Sequence, residues 1–453
     1  MTVGNKPTLV VAGGGFAGML ACRNMRKHFN IILIDAKDYF EYVPSIPRAF
    51  VDPEFHSEIS FQYQSVCDAM KIKFLWGELK KVDPTAKTVD VACMAELGNI
   101  ETVKFDYLLI CCGCQYTMFA THEKSASSCN ESLWYPTLQE EIVKEMNWGQ
   151  LDERYVSGRR LHIEREAGKI KDLAAKKGTI VVVGAGPVGV EFATEAKHAY
   201  PDLNVVLLEQ RDKCLPTLPD RAIKYVQNWM DKHGIKSIYN VKYANILGAG
   251  NSREGQADEF EKLGIKPDRV YICVGTLAVN GFLDKTYLIP SSKPGRGGQI
   301  KVNHNLQVID ENKNPVPCVF AAGTCCIMQD FEAVAGKVAP AEEQAKAACH
   351  NIEILEKMKT NSGGCLGMCK PKGMIPFKNT GMTRLTIGFD LTSVGPHDAT
   401  FVAFNHASKS GSGCFVWGGC LASILKETFI GWTKVDQCRQ GWRGKAFWSM
   451  VGH

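Results

Sequence analysis

A glycine-rich segment near the start of the chain has the residue types and spacing that bind a dinucleotide. It reads Gly13-Gly14-Gly15-Phe16-Ala17-Gly18, and an acid, Asp35, follows Gly13 after 22 residues. Gly13 permits a tight turn, Gly15 lets the backbone approach a pyrophosphate, and Gly18 lets a helix pack closely on a strand. The acid can accept hydrogen bonds from ribose hydroxyl groups. The segment therefore predicts a dinucleotide site, and the alternative is a glycine-rich turn that binds no ligand.

The same pattern recurs further along the chain. It reads Gly184-Ala185-Gly186-Pro187-Val188-Gly189, and Glu209 follows Gly184 after 25 residues. A carboxylate at this position accepts hydrogen bonds from a ribose 2′-hydroxyl and repels a 2′-phosphate, which favours NADH. Arg211 could instead recruit the phosphate of NADPH. Two complete motifs are much less expected by chance than one, and two dinucleotides on one chain indicate electron transfer between them.

Each motif requires a buried strand before its glycine turn and a helix after it. Apolar, β-branched runs precede both turns, and a further run of this kind ends in each acid. The predicted strands are Thr8–Ala12, Ile31–Ile34, Thr179–Val183 and Asn204–Leu208. The predicted fold class is therefore α/β, with two Rossmann-like dinucleotide-binding domains.

A third strand that ends in glycine connects the chain to a known class of proteins. Its residues, Pro317-Cys-Val-Phe-Ala-Ala-Gly323, resemble the late segment with which the two-dinucleotide-binding-domain flavoproteins return to their flavin. The resemblance implies that FAD binds a first domain, which is split in sequence, and that the nicotinamide nucleotide binds a second. Thr324 stands where this class usually has an aspartate that faces the ribityl chain. Its hydroxyl can still donate and accept hydrogen bonds.

Two other strand ends fit the same class. Leu108–Gly113 resembles a strand of the flavin domain, and Val270–Gly275 resembles the equivalent strand of the second domain. Beyond the two glycine motifs and their acids, the implied cofactor-binding residues are Lys37, Arg48, Cys112, Gly113, Gly275, Gly323 and Thr324. The implied domains are residues 1–120 with 299–360 for FAD, residues 121–298 for NAD(P)H with an N-terminal excursion, and residues 361–453 as a C-terminal membrane-association or interface region.

The segment Asp38–Arg48 narrows the resemblance to type II NADH dehydrogenases and ferroptosis-suppressor (AIF-like) quinone reductases. In that class, the residue at the position of Glu191 faces the nicotinamide–flavin junction. Lys337 would stabilise negative charge at the flavin's polar edge. Glu343 stands where type II dehydrogenases have a glutamine of the quinone site. The resemblance thus implies catalytic roles for Glu191, Lys337 and Glu343. The alternatives are a helix N-terminal acid favoured by the helix dipole and a solvated lysine.

The cysteine content does not indicate a disulfide scaffold. The chain has 18 cysteines, but the visible N-terminal residues do not form a secretory signal. Cys111 and Cys114 have C-x-x-C spacing without a second tight pair, so reduced, buried thiols are favoured over structural zinc or a redox pair, and no metal is predicted. Cys22 has no partner at the spacing of disulfide reductases, which argues against disulfide chemistry.

The charge distribution bears on possible partners. A net charge of +5 over 453 residues does not indicate nucleic-acid binding. No stretch approaches the roughly 20 apolar residues of a membrane-spanning helix.

Lys409–His453 carries a net charge of +4 and four tryptophans, Trp417, Trp432, Trp442 and Trp448. Indoles with cations are typical of an interfacial membrane anchor, while a homodimer interface or a cap on the flavin domain is the alternative. The expected location is cytoplasmic or organellar, on a membrane surface.

These observations predict an FAD-dependent oxidoreductase that transfers electrons from NAD(P)H through the flavin to a quinone. Two alternatives remain open at this point. One is a soluble NADH oxidase or disulfide-type reductase of the same fold. The other is a non-catalytic, nucleotide-sensing interaction protein with a degraded flavin site, suggested by Thr324 and the missing glutamines.

Overall fold

The computed structural model describes residues 6–96, 98–116, 130–131, 152–241, 260–274, 276–288, 298–328, 338–361, 373–377, 389–403 and 415–450. The chain divides into two units. The first comprises Met1–Phe40, Phe61–Gln115 and Gly275–Asn379, and the second comprises Glu41–Ser60, Tyr116–Val274 and Thr380–His453. Each unit contains one of the two glycine motifs.

A ten-stranded sheet forms the centre of the first unit. From one edge to the other, its strands are Cys326–Met328, Ile300–Val302, Gln307–Ile309, Pro315–Ala321, Tyr107–Ile110, Thr8–Ala12, Asn30–Asp35, Lys73–Asp83, Thr88–Cys93 and Ile100–Lys104. Thr8–Ala12 pairs in parallel with both Asn30–Asp35 and Tyr107–Ile110. Its central residues are fully buried, as expected for a parallel strand covered on both faces.

Helices and short elements complete the first unit. The helices are Phe16–Met25, Tyr63–Met70 and Val338–Asn361, with a 3-10 turn at Lys285–Tyr287. The short strands Cys114–Tyr116 and Thr276–Ala278 pair with each other. The predicted strand, glycine turn, helix and strand of the first motif are confirmed, because Thr8–Ala12, Phe16–Met25 and Asn30–Asp35 follow one another in this order.

A five-stranded parallel sheet forms the centre of the second unit. Its strands, in order, are Asn130–Glu131, Arg269–Ile272, Thr179–Val183, Asn204–Leu208 and Lys236–Ile238. The helices that precede or follow these strands are Val156–Ala175, Pro187–Ala199 and Asp220–Lys232. Val181, Val183, Val206 and Leu208 belong to one buried apolar cluster of this sheet. The second predicted strand–turn–helix–strand motif is thereby confirmed as well.

Buried ion pairs explain why residues 41–60 belong to the second unit. This segment contains the helices Ile46–Ala49 and His56–Ile59 and the 3-10 turns Val43–Ser45 and Pro53–Phe55. Arg159 donates to Glu41 at 2.9 Å and to Glu153 at 2.8 Å, and Glu41 also pairs with His56 at 2.9 Å. All four side chains are buried. Buried charges need such partners, so the segment is fixed on the helix Val156–Ala175. The strands Tyr39–Glu41 and Ser60–Gln62, at its two ends, pair with each other.

The described C-terminal residues also belong to the second unit. Three antiparallel strands, Phe389–Ser393, Ala399–Ala403 and Phe415–Gly418, form a small sheet. A continuous helical segment then runs through Cys420–Ile424, a π-helical stretch Leu425–Trp432, and Thr433–Cys438, and the helix Trp442–Met450 follows. Within the described part of the chain, none of the helices combines the length and apolar character that a bilayer crossing requires. The α/β fold class is confirmed, while the predicted domain boundaries stay a prediction.

Candidate functional site

In the first glycine turn, an added side chain would clash at two glycines and would have room at a third. Gly13 has a φ of +97°, and a Cβ there would lie 2.6 Å from the Cys111 carbonyl oxygen. A Cβ on Gly18 would lie 1.9 Å from the Gly13 carbonyl oxygen. A Cβ on Gly15 would meet no atom of the described residues within 4 Å. Gly13 and Gly18 are therefore required for packing, whereas the space beside Gly15 is free for a ligand. Phe16 and Ala17, which begin the helix, complete the predicted turn.

Asp35 closes this turn from the neighbouring strand. Its carboxylate accepts hydrogen bonds from the backbone N–H of Gly14 at 2.6 Å and of Lys37 at 2.8 Å. Burial raises the pKa of Asp35, and the charge of Lys37 together with these N–H groups opposes the rise. An acid beside a helix N-terminus with open space suits the ribose and pyrophosphate of a dinucleotide. The first unit therefore fits one end of FAD.

A second group of predicted flavin residues meets at two other strand ends of the first unit. Gly113 and Gly323 both have positive φ, +68° and +90°, and Thr324 Oγ1 lies 3.6 Å from the Cβ position of Gly113. Cys112 donates its thiol to the Ala12 carbonyl at 3.4 Å. The structure thus brings Cys112, Gly113, Gly323 and Thr324 together.

Gln344 is a residue of this group that sequence reasoning missed. It lies on the helix Val338–Asn361, and its side-chain oxygen accepts a hydrogen bond from the Gly323 N–H at 2.7 Å. The neighbouring Glu343, predicted as catalytic, is half-buried on the same helix. The sequence signal for Gln344 was its position directly after Glu343, which stands where type II dehydrogenases have a glutamine. Lys337 and Gly275 lie outside the described residues.

The second glycine turn repeats the arrangement of the first. Gly184 has a φ of +106°, and a Cβ on Gly189 would lie 1.8 Å from the Gly184 carbonyl oxygen. Within the described part of the chain, a Cβ on Gly186 would again meet no atom within 4 Å. Pro187 occupies the first turn of the helix Pro187–Ala199, with Val188 next to it, and proline is favoured there because its missing N–H would be unpaired in any case.

Glu209 occupies the same place in the second turn as Asp35 does in the first. It is buried and accepts hydrogen bonds from the N–H of Ala185 at 2.8 Å and of Arg211 at 3.0 Å. The carboxylate is therefore positioned at the glycine turn, where the ribose of a dinucleotide binds. Predicted residues Gly184, Gly186, Gly189 and Glu209 lie together in the second unit.

A cluster of five charged side chains forms against the helix that follows this turn, Pro187–Ala199, which carries two of the five. The members, called the 191–427 cluster below, are Glu191, Glu195, Arg48, Lys426 and Glu427. Lys426 donates to Glu191 at 2.5 Å, Arg48 pairs with Glu195 at 3.3 Å, and Arg48 lies 3.7 Å from Glu427. Arg48, predicted from the resemblance as a cofactor ligand, is thus part of this cluster in the second unit.

A serine connects the charges of the cluster. Ser393 accepts a hydrogen bond from Lys426 Nζ at 2.8 Å and donates its hydroxyl to Glu427 at 3.4 Å. Its backbone N–H donates to Glu191 at 3.1 Å. Sequence reasoning singled out Glu191 but missed the pairing with Lys426, because the two residues are 235 positions apart.

Burial is the largest single influence on the pKa values of Glu191, Glu195 and Lys426. It raises the pKa of Glu191, against the charge of Lys426, and it raises the pKa of Glu195 to about 7, against the charge of Arg48. Burial disfavours the charge of Lys426, but Glu191 and Glu427 outweigh it and raise the pKa of that amine. Such shifts are typical of functional sites, although structural ion pairs produce them too.

The described cysteines are free thiols. Burial raises the pKa of the Cys111 and Cys112 thiols, and a hydrogen bond from the Cys326 thiol lowers that of Cys325. Among the residues that the structure describes, no group of three or more ligating side chains could hold a metal ion.

Large apolar side chains are exposed on the C-terminal helices. They are Leu421, Ile424, Phe429, Trp432 and Trp442, and together they are called the C-terminal apolar face below. The Arg443 guanidinium lies 5.9 Å from the Trp432 ring centroid and 5.5 Å from that of Trp442.

The four C-terminal tryptophans do not share one environment. Trp417 is partly exposed. Trp448 is instead buried, and it donates its indole N–H to Thr433 at 3.1 Å. Lys434 Nζ lies 3.6 Å from the centroid of the Trp448 ring. Trp448 is therefore a packing residue, whereas Trp432 and Trp442 are available to a partner.

A family profile described as pyridine nucleotide-disulphide oxidoreductase matches residues 7–349. Ferroptosis suppressor protein 1 of Xenopus laevis is 25% identical over 333 residues, which cover 71% of this chain and 75% of that protein. An external alternative NADH-ubiquinone oxidoreductase, mitochondrial, of Yarrowia lipolytica is 23% identical over 244 residues, covering 49% and 39%. The sulfide:quinone oxidoreductase structure from Aquifex aeolicus superposes with a TM-score of 0.68 at 16% identity, covering 98% and 94%, which shows the fold. The predicted resemblance is confirmed.

Proposed function

Because the chain belongs to the pyridine nucleotide-disulphide oxidoreductase family over residues 7–349, we propose that it transfers electrons from NADH through FAD to a quinone at a membrane surface. The predicted cofactors, FAD and NADH, are those that this family uses. When bound, FAD supplies the acceptor for a hydride from the nicotinamide and the donor of two electrons to the quinone. The residues of the chain position the cofactors and set the local charge.

The observation that carries the proposal is the C-terminal apolar face. A quinone that is dissolved in a bilayer must be reached from the membrane surface. Exposed aliphatic side chains, and exposed indoles next to Arg443, suit the headgroup region, where rings partition and cations meet anionic lipid. The relative of Yarrowia lipolytica, whose name includes NADH-ubiquinone oxidoreductase, agrees with this acceptor class. A face of this kind on an oxidoreductase therefore favours a membrane-dissolved acceptor over a soluble one.

In this proposal each of the two units binds one cofactor. In the first, Asp35 and the open space beside Gly15 hold FAD, with Thr324 and Gln344 near its flavin end. In the second, Glu209 and the space beside Gly186 hold NADH, with NADPH disfavoured because the carboxylate repels a 2′-phosphate. Glu191, Lys337 and Glu343 are proposed to adjust the charge around the reacting rings, as the resemblance implies.

The visible spectrum of the purified protein tests the proposal. It is recorded under anaerobic conditions, first after addition of NADH and then after addition of a short-chain quinone. We expect flavin bands that bleach with NADH and return with quinone, because the two half-reactions are separate. Flavin bands that NADH cannot bleach would contradict the proposal.

Two other outcomes identify the rival functions. Oxygen consumption that equals NADH loss in the presence of quinone would indicate an NADH oxidase. A protein that binds NADH but purifies without flavin would indicate the nucleotide-sensing alternative. The C-terminal apolar face could also pair two copies of the chain, and vesicle binding by the monomer distinguishes a membrane face from a homodimer interface.

A further inference from the structure

The middle position of the first glycine turn differs from that of the second. Gly14 stands where the second turn has Ala185. A Cβ on Gly14 would lie 2.5 Å from a ring carbon of Tyr63 and 2.6 Å from its hydroxyl oxygen. Gly14 is not among the glycines with positive φ, so the backbone conformation itself would accept a side chain. The glycine is therefore required by the neighbouring ring and not by the turn.

Packing holds the Tyr63 ring in this place. Tyr63 begins the helix Tyr63–Met70 and is buried. Its backbone N–H donates to the Asp38 carbonyl at 2.9 Å. Its ring centroid lies 5.4 Å from that of Phe74 and 6.4 Å from that of Phe61. A close-packed aromatic ring cannot rotate away without displacing its neighbours. The Tyr63 hydroxyl therefore stays beside the glycine turn, and a buried tyrosine hydroxyl usually has a hydrogen-bond partner.

Asp35 is a partner of that hydroxyl. The Tyr63 O–H donates to the Asp35 carboxylate, and burial raises the pKa of this acid against that hydrogen bond. The backbone N–H groups of Gly14 and Lys37 donate to the same carboxylate at 2.6 and 2.8 Å. A carboxylate offers about four lone-pair sites for hydrogen bonds. Donors among the described residues therefore use three of these sites and leave one for a ligand.

The acid of the second turn has a larger free capacity. Among the described residues, the donors to the Glu209 carboxylate are the N–H groups of Ala185 and Arg211. Two of its lone-pair sites remain, which is enough for both the 2′- and the 3′-hydroxyl of a ribose. The sequence pattern treats Asp35 and Glu209 alike, but they differ in the number of ribose hydroxyls that each can accept.

We propose that Tyr63 is a specificity-determining residue of the first dinucleotide site, because it limits Asp35 to one hydrogen bond from the adenosine ribose. The site then accepts a flavin dinucleotide that lacks one of the two ribose hydroxyls and rejects one that lacks the other. Tyr63 acts through Asp35 and is therefore a positioning residue. This inference rests on the assignment of FAD to the first unit in the proposed function.

The test measures equilibrium binding to the apoprotein by flavin fluorescence. The ligands are FAD and two analogues, one with 2′-deoxyribose and one with 3′-deoxyribose in the adenosine half. We expect one analogue to bind the natural protein within about twofold of FAD and the other at least about tenfold more weakly, as for loss of a hydrogen bond to a charged group. In Tyr63→Phe a second lone-pair site is free, so both analogues should bind at least about fivefold more weakly than FAD. A purely structural role of the hydroxyl would weaken all three ligands equally.

A matched control removes the same group elsewhere. The Tyr225 hydroxyl donates to the Asp398 carboxylate at 2.7 Å in the second unit, and Tyr225→Phe should keep the ligand pattern of the natural protein. Equal weakening of both analogues in the natural protein would overturn the inference, and this comparison does not depend on the folding of any variant. A pattern in Tyr63→Phe that matches the natural one would overturn it too.

The binding assay involves neither NADH nor quinone, so the two proposals fail separately. A natural protein that binds FAD with the expected pattern but reduces no quinone would refute the proposed function and support the role of Tyr63. A natural protein that binds no FAD would overturn both.

Discussion

Lys426 Nζ lies 2.5 Å from Glu191 Oε1 and joins a C-terminal helix to the helix that follows the second glycine turn. The pair is buried and is supplemented by Ser393, which hydrogen-bonds both partners. Lys426 also belongs to the helical segment that exposes Ile424 and Phe429 on its outer side. One short stretch of chain therefore carries both the buried charge next to the nucleotide helix and the C-terminal apolar face.

Loss of Lys426 should destabilise the second unit. We expect Lys426→Met to lower the free energy of unfolding by about 3–5 kcal/mol, because Glu191 would stay buried without its cation. The double variant with Glu191→Gln should recover much of this loss. Denaturant unfolding of the natural protein, both single variants and the double variant gives the coupling energy. The exposed Lys224→Met is the matched control, and additive effects of Lys426 and Glu191 would refute the coupling.

Glu195 should make stability depend on pH. Its pKa is about 7 in the folded protein and about 4.3 in an unfolded chain. Between these values the folded state binds more protons, so the free energy of unfolding falls as pH rises and is constant above the folded pKa. Glu195→Gln should remove a fall that is at most on the order of 3 kcal/mol. Urea unfolding at about pH 5 and about pH 8 measures it, and an equal fall in the variant would exclude Glu195 as the source.

Substitutions at Gly15 and Gly186 should each abolish binding at one of the two cofactor sites. Among the described residues no atom lies within 4 Å of a Cβ added to either glycine, and both glycines have negative φ. We therefore expect valine to leave the fold intact and to block the ligand. We expect Gly15→Val to purify without flavin, and Gly186→Val to retain flavin that NADH cannot bleach. Gly168→Ala, on an exposed helix surface, is the control. Flavin retained in Gly15→Val would contradict the assignment of FAD to the first unit.

Glu209 should determine the choice between NADH and NADPH. Its buried carboxylate is held by the N–H of Ala185 and Arg211, and Gln in its place removes the negative charge that repels a 2′-phosphate. We expect Glu209→Gln to raise the ratio of kcat/KM for NADPH to that for NADH about tenfold, which corresponds to about 1.4 kcal/mol. Steady-state kinetics with both nucleotides measures this ratio. An unchanged ratio would assign selectivity to other residues.

The C-terminal apolar face should bind anionic vesicles. Phe429→Glu places a carboxylate where an exposed ring now lies, and both the lost apolar area and the new charge oppose binding. We expect at least about tenfold weaker partitioning, or about 1.4 kcal/mol, in a vesicle flotation assay. Ile100→Glu makes the same kind of change at an exposed site in the first unit and should have no effect. Equal partitioning of both variants would argue against a membrane role for this face.

The sequence by itself determined the two dinucleotide motifs, because every residue that forms a glycine turn is close to its neighbours along the chain. The positive φ of Gly13 and Gly184 and the helices that begin after each turn are local features, so spacing was sufficient to predict them. The positions of Asp35 and Glu209 at these turns followed from the length of one helix and one strand. Local periodicity and turn chemistry therefore accounted for the core of both units.

Only the tertiary structure decided which distant side chains meet. The partners of Arg48 and Glu191 come from segments hundreds of positions away, and no local pattern encodes such a pairing. The tertiary fold likewise placed Gln344 at Gly323, and it buried Trp448 while exposing Trp442, although composition treats the two tryptophans alike. A buried charge is stabilised by whichever opposite charge the packing brings within a few ångströms, and that choice belongs to the assembled fold.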